Sequence, residues 1–177
     1  LLIARGATTL ADPRVRAGVL VVVIGLGFVG AGRNVRTNRT EAAEVAAALR
    51  SEADPGDVVV YCPDQLGPAV HRRAPAGLDE VTYPAFGSPA FVDWVDYKAR
   101  LARADPVRFA RHALARAGGH TLWLVTTPGY LTHPVVCTQL SNMFAAARLR
   151  HVRVVPDERL FEHPGLQAFP AHAPASG

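Results

Sequence analysis

Two groups of residues have the types and spacing to do chemistry. The first is Gly25-x-Gly27-x-x-Gly30 within VVVIGLGFVGAG, the spacing that lets a strand-to-helix turn cradle a dinucleotide pyrophosphate. The second is a polar set that follows short apolar runs: Tyr61, Asp64 and Gln65 in YCPDQ, Tyr83 in TYP, and Thr126, Thr127, Tyr130 and His133 in TTPGYLTH. A carboxylate, an amide, phenols, hydroxyls and an imidazole suit the grasp of a sugar or of a lipid-linked substrate. Asp64, Gln65, Tyr130 and His133 are the leading substrate-binding candidates. Each also has a plainer reading. Asp64 after Pro63 can cap a short helix, Tyr130 follows Gly129 in a turn, and His133 flanks Pro134.

A dinucleotide site makes three demands: a strand before the glycines, an amphipathic helix after them, and a second strand ending in an acid about 20 residues further on. Val19 to Ile24 meets the first. Arg33, Asn34, Arg36, Asn38 and Arg39 deny the second an apolar face, and no acid-terminated strand follows, because EVAAALRSEA reads as helix. The same stretch reads better as a membrane helix. Ala17 to Gly32 is 16 residues without a charge, about 24 Å of helix. That is shorter than the usual ~20 residues, although Arg16 and Arg33 can snorkel. Arginines on both flanks give no orientation. A signal peptide is a third option.

Other chemistries lack a motif. The histidines show no HxxxH spacing with a nearby carboxylate, and the sequence holds no GxSxG elbow and no GxxxxGK[ST] loop. No metal, no cofactor and no catalytic residue is expected within this chain. The net charge is +4, yet the basic residues are almost all arginines scattered through alanine-rich helices, with Lys98 the one lysine. That pattern fits a GC-rich bacterial composition rather than a nucleic-acid footprint. Cys62 and Cys137 have no CxxC spacing and read equally well as one bridge or as two buried thiols.

From Thr40 onward the chain alternates strands with helices. DVVVYC, DEVTYP, HTLWLVT and HVRVVP read as strands. TEAAEVAAALRSEA, LGPAVHRRA, PAFVDWVDYKARLARA, DPVRFARHALARAGG and HPVVCTQLSNMFAAARL read as helices, with Thr40 and Asp105 as caps and Gly118 as a stop. Trp94 is expected in the core on one helix and Trp123 in a buried strand. The fold class expected is α/β, a three-layer, mostly parallel, Rossmann-like or doubly wound sheet preceded by one transmembrane helix. The parts are 1–16, a loop and the end of a preceding span; 17–32, the membrane helix; 33–170, the α/β domain; and 171–177, a frayed tail. Beginning on Leu1, the chain reads as a piece of something longer.

An apolar span leading into GRNVRTNRTEAAEVAAALRSEADPGDVVVYCPDQLGPAV, then GLDEVTYP, FVDWVDY, TLWLVTTPGY and LFEHPGLQAFP, resembles the C-terminal part of actinobacterial family 39-like glycosyltransferases. These are polytopic membrane proteins similar to dolichyl-phosphate-mannose protein mannosyltransferases. The resemblance implies a polyprenyl-phosphate-linked sugar donor, a glycan or protein acceptor, and a membrane location with the soluble domain extracytoplasmic. It favours a Cys62–Cys137 disulfide. The family's catalytic carboxylate lies in the first extracytoplasmic loop, which has no counterpart in this sequence, so no residue here inherits that role. Two rivals belong to other classes: a soluble NAD-dependent oxidoreductase using Gly25, Gly27 and Gly30, and a non-enzymatic, membrane-tethered α/β binding module.

Overall fold

The computed structural model describes residues 12–36, 40–127, 135–156 and 162–171. The chain divides into two compact units, Leu1–Asn38 and Arg39–Gly177. In the first, α1 spans Pro13–Arg36 as one helix of 24 residues. Proline sits at its first position, where the missing N–H costs nothing. The stretch Pro13–Asn34 is long and apolar enough to cross a membrane. At 1.5 Å per residue its 22 residues give roughly 33 Å, against about 30 Å of hydrocarbon. The helix outruns the charge-free segment because Arg14, Arg16 and Arg33 continue it at either end. Gly25, Gly27 and Gly30 lie in its interior with open space around them, so they form no strand-to-helix turn.

The second unit holds a five-stranded sheet in the order β2-β1-β3-β5-β4. Its strands are β1 (Val58–Cys62), β2 (Asp79–Thr82), β3 (Leu122–Thr126), β4 (His151–Val154) and β5 (Gly165–Phe169). β1 pairs in parallel with β2 and β3. β5 runs antiparallel to both β3 and β4, so the sheet is mixed, where the alternation of elements implied a mostly parallel one. β5 is also the strand the sequence reading missed. Gly165 opens it because a Cβ there would stand 2.8 Å from the Pro156 ring and 2.9 Å from the Val154 carbonyl oxygen.

The helices of this unit are α2 (Ala42–Glu52), α3 (Gly67–His71), α4 (Tyr97–Arg103), α5 (Pro106–Ala117) and α6 (Val136–Ala147). Every residue of β1 is buried, and alternate residues part into two apolar clusters. Val58, Val60 and Cys62 meet Phe109, Ala113, Leu140 and Phe144 from α5 and α6. Val59 and Tyr61 meet Val45, Ala46, Leu49 and Val70 from α2 and α3, with Trp123 and Leu166 beside them. Cys62 and Cys137 join as a disulfide with a Cα–Cα distance of 5.5 Å, which ties the end of β1 to the first turn of α6.

Asp105 caps α5 as expected, its Oδ1 accepting from the Val107 and Arg108 amides. Thr40 Oγ1 accepts from the Ala42 amide at the start of α2. The expected helix over 89–104 shrinks to α4. Upstream of it, Ser88 Oγ and Asp93 Oδ1 accept from the Ala90 and Val95 amides, and Asp96 adopts a left-handed φ of 50°. Such local bonds offer the backbone an alternative to the helix. Trp94 is therefore 63% exposed, contrary to its expected place in the core, whereas Trp123 is buried as expected.

Candidate functional site

In open α/β sheets ligands gather beyond the carboxyl ends of the parallel strands. The ends of β1, β2 and β3 place Asp64, Pro84 and Thr127 on that edge. Asp64 opens a single 3-10 turn, Asp64–Leu66, that runs into α3. It is buried, and its carboxyl meets the backbone amides at the start of that turn, those of Asp64 and Gln65. Its Oδ1 also accepts from the Tyr97 hydroxyl at 2.6 Å. Tyr97 Oη in turn accepts from Gln65 Nε2 at 2.9 Å. The Arg100 guanidinium lies 5.6 Å from the Tyr97 ring centre.

The structure thus brings Asp64 and Gln65 together through a residue that sequence reasoning had not singled out. Burial pushes the Asp64 carboxyl above its ordinary value of 3.8, and the Tyr97 hydrogen bond and the Arg100 charge counter only part of that. Through its bond to Tyr97 the carboxyl ties the 3-10 turn to α4 and so organises this edge. Two buried polar atoms here, Gln65 Oε1 and Arg100 Nε, have no hydrogen-bond partner among the described residues. Tyr130 and His133 lie outside the described residues.

Tyr61 and Tyr83 are also spoken for. Tyr61 donates to Glu80 Oε2 at 2.5 Å, and the other Glu80 oxygen meets His71 Nδ1 at 2.8 Å. Burial, then the neighbouring Glu80 charge, pushes the Tyr61 hydroxyl up. Tyr83 is buried against Phe109, ring centres 5.1 Å apart. Burial and then Asp105 raise its hydroxyl too.

Two clefts open on this edge. One, of about 450 Å³, is lined by Pro84, Ala85 and Phe86 after β2 and by the side chains of α4 and α5, including Arg100, Arg103, Arg108 and His112. The other, of about 260 Å³, mixes hydroxyl and amide side chains with apolar ones from β4. Thr126, Thr127, Thr138, Ser141, Asn142 and Gln167 line it, together with Arg150. Ser141 Oγ donates to Gln167 Oε1 at 2.6 Å within it. The first cleft can hold an anion, and the second can hydrogen-bond a hydroxylated group. Among the described residues no group of His, Cys, Asp and Glu is placed to hold a metal.

The arginines of the first cleft escaped sequence reasoning because they come from two helices with no motif spacing. The available signal was their density, with Arg100, Arg103, Arg108 and Arg111 falling within a dozen residues. No protein-family model, no curated protein and no solved structure matches the chain.

Proposed function

We propose that this chain is the C-terminal segment of a membrane glycosyltransferase that uses a polyprenyl-phosphate-linked sugar. In this reading α1 is its last membrane helix, and the second unit is a three-layer, doubly wound extracytoplasmic domain that helps position donor or acceptor. The observation that carries the reading is a 22-residue apolar helical stretch followed within a few residues by an α/β unit closed by a disulfide. Disulfides persist in oxidising compartments, which favours the outer face of the membrane for that unit. The resemblance described above supplies the reaction, and the two clefts supply room for a sugar-bearing group.

Protease added to intact spheroplasts tests the topology. The α/β unit is expected to be digested from outside, and protection of it until the membrane is broken would sink the reading. Deleting the unit from the full-length protein then separates this proposal from a tethered, non-enzymatic binding module. The proposal expects sugar transfer from the polyprenyl carrier to fall, and the module expects it to be unchanged.

A further inference from the structure

The 450 Å³ cleft has an unbalanced lining. Arg100 and Arg103 project from α4 and Arg108 from α5, so three guanidinium groups face one carboxylate, that of Asp105. Asp105 spends its Oδ1 on the first amides of α5. Arg100 pairs with Asp93 at 3.6 Å. Arg103 donates its Nε to the Ala99 carbonyl, and neither Arg103 nor Arg108 meets a carboxylate among the described residues. Arg116, whose guanidinium lies 5.9 Å from the Phe86 ring centre, pairs with Asp79; elsewhere in the unit Arg153 pairs with Glu52, and Arg148 turns to three backbone carbonyls.

Unpaired like charges held on one concave surface repel each other and are relieved by an anion. The back of the cleft is apolar and aromatic. His112 stacks on Phe86 with ring centres 4.3 Å apart and planes 20° from parallel, and Phe86 packs on Phe109 at 4.6 Å. An apolar wall lowers the local dielectric and strengthens charge-assisted bonds at the mouth. The volume falls in the range of small-molecule sites, which is more than a bare ion fills. The planar fork of arginine matches phosphate oxygens two at a time.

We propose that this cleft is a binding site for a phosphate ester, with Arg103 and Arg108 closing on the phosphate from α4 and α5 and the Phe86–His112 stack backing the esterified group. The site belongs to the α/β unit alone and stands whether or not α1 crosses a membrane.

Calorimetric titration of the full chain in nonionic detergent tests it, with three probes: a hexose 1-phosphate, inorganic pyrophosphate, and dihexanoyl phosphatidylglycerol. Saturable binding of a probe is expected, weakened about tenfold in Arg103→Ala and about a hundredfold in Arg103→Ala/Arg108→Ala. Arg103 and Arg108 are exposed, so neither variant disturbs the core. Arg72→Ala/Arg73→Ala removes the same charge elsewhere and is expected to leave binding unchanged. Binding of the hexose phosphate identifies a sugar phosphate as the source, and binding of the phospholipid alone identifies a lipid headgroup. The proposal is overturned if no probe binds the wild type more tightly than the Arg103/Arg108 variant, or if the Arg72/Arg73 control weakens binding equally.

Discussion

Replacing Cys62 and Cys137 together by alanine tests both the core of the α/β unit and its compartment. The bridge closes a loop of 75 residues that contains β2, α3, α4, α5 and β3. Opening such a loop returns conformational entropy to the unfolded chain. At 25 °C the loop-closure relation gives about 4.5 kcal/mol for that length. Residual structure in the unfolded chain reduces the effect, so the expected loss is roughly 3–4 kcal/mol, or about 10–15 °C in Tm for a unit of this size. The β1–β3 pairing and both apolar clusters remain, so the variant should still fold.

The assay is a thermal and urea melt of the full chain in detergent, followed by tryptophan emission. Trp123 is buried in β3 and shifts as the core opens, whereas Trp94 is already exposed and contributes a near-constant background. Adding reductant to the wild type should reproduce the loss, and adding it to the variant should change nothing. A difference below about 1 kcal/mol would refute the loop argument. Rapid maleimide labelling of the native protein taken from membranes without reductant would refute the bridge and, with it, the oxidising location.

Three further outcomes follow from single side chains. Asp57 accepts from the Asp54 and Thr121 amides and from the Trp123 indole, so Asp57→Ala orphans three donors and should cost about 3 kcal/mol in a urea melt. Trp123→Phe strands only one acceptor site. Arg148 holds the Gly118, His120 and Phe169 carbonyls at 2.7–3.3 Å. Arg148→Lys keeps the charge but cannot span three acceptors, and should cost roughly 2 kcal/mol in the same assay. Asp64→Asn keeps an acceptor for Tyr97 while removing the charge. Because burial raises the Asp64 carboxyl in the folded state, that state binds its proton more readily than the unfolded chain does. Wild-type stability should therefore fall, relative to the variant, as pH rises from about 4 through the raised value, and level off above it. Parallel melts across pH 4–7 check this, and a wild type that gains on the variant with rising pH would reverse the argument.

The elements that were legible in the sequence are those whose local chemistry settles them without help. Val58–Cys62 and Leu122–Thr126 are continuous apolar runs that only a doubly covered strand can bury, and both are buried as expected, apart from the half-buried Thr126. Asp105-Pro106 and Gly118 set the ends of α5. What escaped depends on partners far along the chain. GLQAF is a short run between Pro164 and Pro170 with no helix before it to continue the alternation; its place as β5 rests on pairing with both β3 and β4. That single strand, running against its neighbours, is what makes the sheet mixed. The helix α1 runs longer than the charge-free span because arginine is a good helix former whose charged head can reach away from apolar surface.

The candidate site moved for a related reason. In sequence Asp64 is the conspicuous group, a lone carboxylate after a strand, while the arginines look like compositional scatter. Folding reverses their standing. Asp64 is drawn inward to Tyr97, and the residue that recruits it lies 33 positions away on a helix whose start the sequence misplaced. The same helix, α4, turns Arg100 and Arg103 toward Arg108 of α5. A carboxylate bonded to a neighbouring hydroxyl has part of its acceptor capacity spent inside the fold, whereas Arg103 and Arg108 meet no carboxylate among the described residues. The weight of the phosphate-ester proposal therefore rests on Arg103 and Arg108, which the fold gathers without a carboxylate partner among the described residues, and the buried acid serves to hold the helix that presents Arg103.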